Sequence, residues 1–380
     1  MKTRFLPVLA ALLLPPAISS AGGDIREDRH DDSRRIRHIF LIAMENHATD
    51  EILGNITDAP FINELAGHSG VIGNYWGVTH PSLPNYLAWI SGSFQGIWDD
   101  CKAGPTVTCP PEEFVPGSGD GTDGNYLTPQ QIASASATPH WFGGKTIVDQ
   151  LEAKHMSWKV YMQAMPAGGY DVEYSPIIGG QTVKLYAQKH NPFLYFSNIR
   201  TNTSRLGNIV PFESNFDADL GSSRVADFVW ISPDQCHDMH GISPATATLV
   251  GLPACGFPDS GLDHGAIQLG DAFLRETVRK IVRSDAWSEG AAIVIAWDED
   301  DYAGFTGCCG SPTGVNGITL GGAHAPAIVF TSNSFRNRTT WRYANHYTLL
   351  GTIQKLWNLG CLENTCGFKE EDLLLDMFDR

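Results

Sequence analysis

The sequence predicts an α/β fold: a central, mostly parallel sheet flanked by helices and broken by long loop insertions. Three observations predict it. Compact apolar runs with little alternation recur along the chain, helical patterns lie between them, and two loop-rich stretches, residues 93–142 and 301–325, fall outside that scheme. A strand covered on both faces reads as a continuous hydrophobic run, and strands alternating with helices build parallel sheets.

In chain order, Lys2 and Arg4 precede the apolar stretch "FLPVLAALLLPPA" and the small residues up to Ala21. This is the layout of a cleaved secretory signal over residues 1–21. Pro7, Pro15 and Pro16 interrupt the run, and no later segment offers the ~20 apolar residues that span a bilayer. The expectation is a secreted or periplasmic protein without stable membrane insertion. Residues 22–35 are a charged segment, and residues 36–380 are expected to form a single α/β domain with insertions near 93–142 and 301–325.

Within that domain "IRHIFLIAM" reads as a buried strand that runs into Glu45, Asn46 and His47. "DFVWIS" (227–232), "AAIVIAW" (291–297) and "PAIVFTS" (326–332) read the same way. Helical patterns cover 145–155, 265–284 and 346–359. Loops as long as 93–142 and 301–325 are usually functional or disordered, and the cysteines in both favour ordered rims around a site.

The formal charge is -16, and loss of residues 1–21 removes two basic groups and no acidic one, leaving 24 basic against 42 acidic residues, or -18. That balance excludes nucleic-acid or anionic-membrane binding through bulk charge. An anionic substrate remains compatible, because a cation reverses the local field of an acidic cleft. Eight cysteines after the signal suit disulfides in an oxidising compartment. Cys101 with Cys109 and Cys361 with Cys366 can close small loops, while Cys236, Cys255, Cys308 and Cys309 allow more than one pairing.

Ligands of open α/β sheets bind beyond the carboxyl ends of the strands. Three strands here deliver ionisable groups to that edge: Glu45 with Asn46; "PDQCHDMHG", holding Asp234, His237, Asp238 and His240; and Asp298, Glu299, Asp300 and Asp301. Glu45, Asn46, Asp298 and Glu299 form an oxygen-rich set suited to one divalent cation, with Mg²⁺, Ca²⁺ or Mn²⁺ favoured over Zn²⁺. Ser82, in "GVTHPSLPNYLAWISGS", opens a helix between two prolines, where it serves either as a helix cap or as a nucleophile at the helix's positive end. A cation on its oxygen would ease deprotonation. His190 and His240 are placed to meet phosphoryl oxygens or a leaving group, and His324 and His346 rank below them.

At these residues the chain resembles the phosphoesterase family that joins secreted acid phosphatases with bacterial phospholipases C, in the wider alkaline phosphatase superfamily. The resemblance runs from about Ile39 to Leu359 and rests on an ordered series: "MENHATDEILGN", "THPSLPNYLAWISG", "KHNPF", "PDQCHDMHG", "AWDEDD" and "NHYTLLGTIQKLWNL". It implies that Glu45, Asn46, Ser82, Asp298 and Glu299 make the metal and nucleophile site, with His190 and His240 near the phosphate. The superfamily's nucleotide pyrophosphatases carry Asp-His where Asp298-Glu299 stands, which argues against a two-zinc centre. Ala48 and Thr49, in place of the Ser-Phe often found in the phospholipase branch, and the short C-terminal end favour the acid phosphatase side.

The expected activity is therefore hydrolysis of a small phosphomonoester through a phosphoserine at Ser82, with Asn46 and the cation holding charge and His240 assisting the leaving oxygen. Two rivals stand beside it. One is a phospholipase C-type diesterase acting on a phospholipid, for which Trp98, Phe114, Trp141 and Phe142 would rim a lipid-facing mouth, although ordinary packing is the plainer reading of these four. The other is a secreted binding protein, stabilised by metal and without turnover.

Overall fold

His38–Met44 (β1) lies inside the sheet between two parallel neighbours, and all seven of its residues are buried. The computed structural model describes residues 36–222, 224–256, 264–333 and 337–378. The signal and charged segment inferred for residues 1–35 therefore lie outside the described residues.

After β1 come Gly70–Trp76 (β2), Trp158–Met162 (β3), Tyr174–Ile178 (β4), Gln181–Ala187 (β5), Ile209–Pro211 (β6), Phe228–Ser232 (β7), Ala291–Trp297 (β8), Ala327–Thr331 (β9) and Arg338–Asn345 (β10). Eight of them form one sheet in the order β10-β2-β9-β8-β1-β7-β3-β6, while β4 and β5 make a separate hairpin. Among the described residues of the large sheet only β9 runs against its neighbours, β2 and β8; the remaining pairings are parallel.

Two apolar layers cover this sheet, and β1 feeds both. Ile39, Leu41 and Ala43 join one layer, and Phe40, Ile42 and Met44 join the other. Successive side chains of a strand point to opposite faces, so a strand buried on both sides must be apolar at every position. The helices Ser82–Ser91 and His346–Leu356 pack on the first layer, through residues such as Leu87 and Ile353. The helix His264–Val282 packs on the second through Leu274, Val278 and Ile281.

Pairing register positions the site. Met44 of β1 pairs with Trp297 of β8, so Glu45 and Asp298 leave the sheet side by side, and the Asp298 N–H donates to the Met44 carbonyl at 3.0 Å. β2 is parallel to β10 and antiparallel to β9, which puts its carboxyl end at the same edge. Gly77 follows β2 there, and a Cβ on it would stand 2.7 Å from the Asp298 carbonyl oxygen. Only a residue without a side chain admits that approach.

The long stretches carry order of their own. Residues 93–142 contain the helix Pro129–Ala137 and the disulfide Cys101–Cys109. Trp98 and Phe114 are buried in a small cluster with Leu127, Ala135 and Leu320, which joins this stretch to the 301–325 loop. Phe142 is buried in the main core. Packing therefore accounts for Trp98, Phe114 and Phe142, and a lipid-facing rim built from them does not form. Cys361–Cys366 closes the expected small loop, and the four open partners resolve as Cys236–Cys255 and Cys308–Cys309.

Candidate active site

Ser82 is the first residue of its helix, Pro81 is the N-cap, and the serine makes no capping bond. The cap comes from Asp100, whose Oδ1 accepts the Leu83 N–H at 2.9 Å. Relieved of that task, Ser82 Oγ donates to Glu45 Oε2 at 2.8 Å, lies 3.3 Å from Glu299 Oε1 and receives a bond from Lys189 Nζ at 3.3 Å.

Each partner arrives on a different element. Glu45 follows β1 and Glu299 follows β8. Asn46 adopts a left-handed φ of 40°, which asparagine tolerates better than most residues, and its N–H meets Asp298 Oδ1 at 3.3 Å. Asn85, one helical turn beyond Ser82, donates to Glu299 Oε2 at 3.1 Å. His80 places Nδ1 2.9 Å from Glu299 Oε2 and Nε2 2.9 Å from the Gly304 carbonyl, with Asp300 Oδ1 at 3.4 Å. Acceptors face both nitrogens, as they do for an imidazolium. Burial pulls the His80 pKa down, but Glu299 and Asp300 outweigh it and hold it well above the usual histidine range.

His190 is buried between two carboxylates, its Nε2 3.2 Å from Glu45 Oε1 and its Nδ1 3.1 Å from Asp238 Oδ2, with its ring stacked on Tyr86. It therefore touches the acidic cluster directly. Burial, then Lys189 and His240, keep it well below the ordinary histidine value. His240 sets Nδ1 3.0 Å from the Gly241 carbonyl and Nε2 3.3 Å from Lys189 Nζ. In that arrangement Nδ1 carries the proton and Nε2 accepts, and burial with the Lys189 charge draws its pKa down to about 3.

The lower-ranked residues divide. Asp238 joins the cluster, and its backbone carbonyl accepts the Glu45 N–H at 2.8 Å. His346 supports from behind: Nε2 donates to the Asp298 carbonyl at 2.7 Å, and Nδ1 lies 2.7 Å from the Tyr75 hydroxyl. Asp234 and His237 bond each other at 2.8 Å, and His237 packs against Phe273. His324 bonds the Gly73 carbonyl at 2.8 Å and packs on Trp76. None of the bonds described for Asp234, His237 or His324 reaches Ser82 or Glu45.

Sequence reasoning missed His80, Asn85, Asp100 and Lys189. Two signals were available: His80 and Asn85 flank Ser82 in "THPSLPN", and Lys189 adjoins His190 in "KHNPF". Lys189 Nζ lies 2.6 Å from Asp100 Oδ2, and the carboxylates of Asp100 and Glu45 hold its charge against burial. Lys189, Asp100 and His240 line a cleft of about 590 Å³, together with Lys184 and Tyr174. Ser82, fully buried, lies one contact beneath them.

The cluster's electrostatics bear on a cation. Glu45, Asp238, Asp298 and Glu299 are all at most 1% exposed. Burial, then mutual repulsion, raises Asp238 and Asp298 well above the carboxylate range; burial opposed by Lys189 takes Glu45 up to about 8. Asn46 Oδ1 and Asp298 Oδ2 are buried without hydrogen-bond partners, and Glu45 Oε1 and Asp238 Oδ2 have only the approach of the His190 ring nitrogens. Each ion removed from water costs several kcal/mol unless it is paired, so four crowded carboxylates with unused oxygens fit a divalent cation. Glu45, His190 and Asp238 also bring ligand atoms within 4.8 Å of one another, which adds a nitrogen donor to the expected oxygen set.

Residues 55–250, a stretch that spans Ser82, His190 and His240, match the phosphoesterase family. The chain belongs to that family. Among curated members of similar sequence, a probable acid phosphatase from Kluyveromyces lactis is 23% identical over 325 residues, covering 85% of this chain and 58% of the relative. A phosphatidylinositol-3-phosphatase from Mycobacterium tuberculosis is 24% identical over 324 residues, 85% of this chain and 77% of its own. The phosphoesterase chain thus spans about three-fifths of the length of the yeast relative. Among solved structures, a protein of the alkaline phosphatase superfamily from Vibrio parahaemolyticus aligns over 88% of this chain and 69% of its own, at 12% identity and a TM-score of 0.47.

Proposed function

We propose that this phosphoesterase is an exported, metal-dependent phosphoester hydrolase of the acid phosphatase type, acting on small phosphomonoesters through a phosphoserine at Ser82. The observation that carries the reading is the Ser82 hydroxyl itself: it opens a ten-residue helix, caps nothing, and meets two buried carboxylates, Glu45 and Glu299. The helix N-terminus favours a phosphoryl group at that position. The described disulfides suit an oxidising compartment and support export.

Ser82 Oγ attacks phosphorus while its proton passes to Glu45 Oε2, the acceptor it already bonds. The bond from phosphorus to the leaving oxygen breaks, and the Asn46 side chain meets the charge that develops on the phosphoryl oxygens. Glu45, Asn46, Asp298 and Glu299 are the residues that would hold the cation, which when bound supplies charge stabilisation and eases ionisation of the serine. In the second step water attacks the phosphoserine, the bond from phosphorus to Oγ breaks, and Oγ recovers its proton. His240 Nε2, an acceptor at the cleft whose pKa rises once a phosphoryl anion sits beside it, is arranged to take the proton of that water, and by reversal it returns it to a departing oxygen.

Hydrolysis of 4-nitrophenyl phosphate, its bis-ester and a phosphoinositide, each by the wild type and Ser82→Ala, tests this reading. Monoester turnover that requires Ser82 supports it. Preference for the bis-ester or the lipid moves it to the diesterase or lipid phosphatase side; the name of the mycobacterial relative is the reason to include the lipid. Turnover untouched by Ser82→Ala overturns it, and no turnover at all favours a metal-stabilised binding protein.

A further inference from the structure

We infer that Lys189 is a specificity residue: its ammonium takes the additional non-bridging oxygen that distinguishes a phosphomonoester from a diester. The inference rests on the phosphoserine reading and extends it to the choice of substrate.

Lys189 occupies the boundary between cleft and nucleophile. Its side chain is only 11% exposed, it lines the cleft, and its Nζ stands 3.3 Å from Ser82 Oγ. A phosphorus atom one bond from that oxygen carries its non-bridging oxygens within hydrogen-bonding reach of the same ammonium. The other lysine of the cleft, Lys184, lies over the Tyr174 ring at 4.8 Å. Lys189 is thus the ammonium in contact with the nucleophile.

Its donors are unequally used. One makes a short, charge-assisted bond of 2.6 Å to Asp100. The other two contacts, to Ser82 Oγ and His240 Nε2, are both 3.3 Å, beyond the usual range for such bonds. A phosphoryl oxygen can replace either long contact while Asp100 keeps the ammonium aimed. Asp100 is itself tied to the Leu83 N–H, so the lysine is registered to the helix that carries the nucleophile.

A monoester above its second pKa, near pH 6, presents three non-bridging oxygens that share two negative charges, whereas a diester presents two that share one. Asn46 and the carboxylates that would hold the cation follow β1 and β8, whereas Lys189 lines the cleft and meets Ser82 Oγ from there. The third oxygen of a monoester is the one left for it, and in a diester that position holds a neutral ester oxygen.

The test compares kcat/KM for 4-nitrophenyl phosphate and bis(4-nitrophenyl) phosphate in wild type, Lys189→Met and Lys189→Arg, with Ser82→Ala alongside. A hydrogen bond to a charged group predicts a drop of about 10- to 100-fold for the monoester on Lys189→Met and a smaller loss for the diester, with partial recovery in Lys189→Arg. Inhibition follows the same split: inorganic phosphate weakens by a similar factor and dimethyl phosphate does not. Equal losses for both ester classes, or for both inhibitors, overturn the proposal, because a lysine that only shapes the pocket affects them alike. Lys189→Gln carries the same comparison should Lys189→Met not melt cooperatively. Turnover that survives Ser82→Ala identifies the failure as that of the phosphoserine reading and removes the proposal with it.

Discussion

Ser82 Oγ donates to Glu45 Oε2 across 2.8 Å, although the two residues stand 37 positions apart. Glu45 is delivered by a central strand and Ser82 by the helix after β2, so the contact exists only when sheet and helix are both in register. Local sequence proposes a helix cap for this serine; tertiary structure supplies the cap from Asp100 and frees the hydroxyl for chemistry.

Chelation is expected to abolish turnover and to lower the melting temperature, because it leaves Glu45, Asp238, Asp298 and Glu299 buried against one another. Added Mg²⁺, Mn²⁺ or Ca²⁺ should restore both. In chelated protein above about pH 5 Glu45→Gln should melt above the wild type, since burial opposes the ionisation of Glu45 and glutamine has none to oppose, yet it should stay inactive with the cation present. Elemental analysis of Asp298→Asn should show less bound metal than wild type.

Asn85 is expected to matter more than its size suggests. Its Oδ1 accepts the Val78 and Thr79 N–H groups at 2.8 and 3.1 Å, and its Nδ2 donates to Glu299 Oε2 at 3.1 Å. Asn85→Ala strands two buried backbone donors and unties Glu299, and should cost about 2–4 kcal/mol in denaturant unfolding. Activity should fall with it, because the turn before Ser82 loses its brace.

These two predictions use residues of unequal legibility. β1, β7, β8 and β9 were readable within one or two residues, because strands buried on both faces permit only apolar side chains. β2 and β10 were not: "GVIGNYW" and "RTTWRYAN" mix glycine, asparagine and charge, and β10 sits at the sheet edge with Trp341 and Tyr343 exposed. The β4–β5 hairpin turns on Gly179 and Gly180, both at positive φ, a pair that was visible in the sequence. Glu45, Asn46, Asp298 and Glu299 could be read because they follow legible strands. Asp100 could not, since its meaning lies in contacts with Leu83 and Lys189 that no local pattern encodes.

His140 offers a pH-dependent test away from the carboxylate cluster. Nε2 bonds Asp99 Oδ1 at 2.7 Å and Nδ1 lies 3.0 Å from the Val107 carbonyl, beside the Cys101–Cys109 disulfide. Burial lowers its pKa, but the Asp99 hydrogen bond and charge outweigh it, so the folded value lies above the unfolded one. A raised histidine contributes stability that is fully present below its unfolded pKa, about 6.5, and is lost as pH rises through the folded value. The melting-temperature gap between wild type and His140→Gln should be widest below that pH and narrow above it; a gap independent of pH would contradict the assignment.

The central claim is that Ser82 carries the phosphoryl group, and acid-quench mass spectrometry during turnover of 4-nitrophenyl phosphate tests it most directly. The account predicts one added phosphoryl group, located on the peptide containing Ser82 and absent from Ser82→Ala, which should also lose at least ~10³-fold in kcat. An unmodified Ser82 peptide at steady state, together with near-normal turnover by Ser82→Ala, would contradict it.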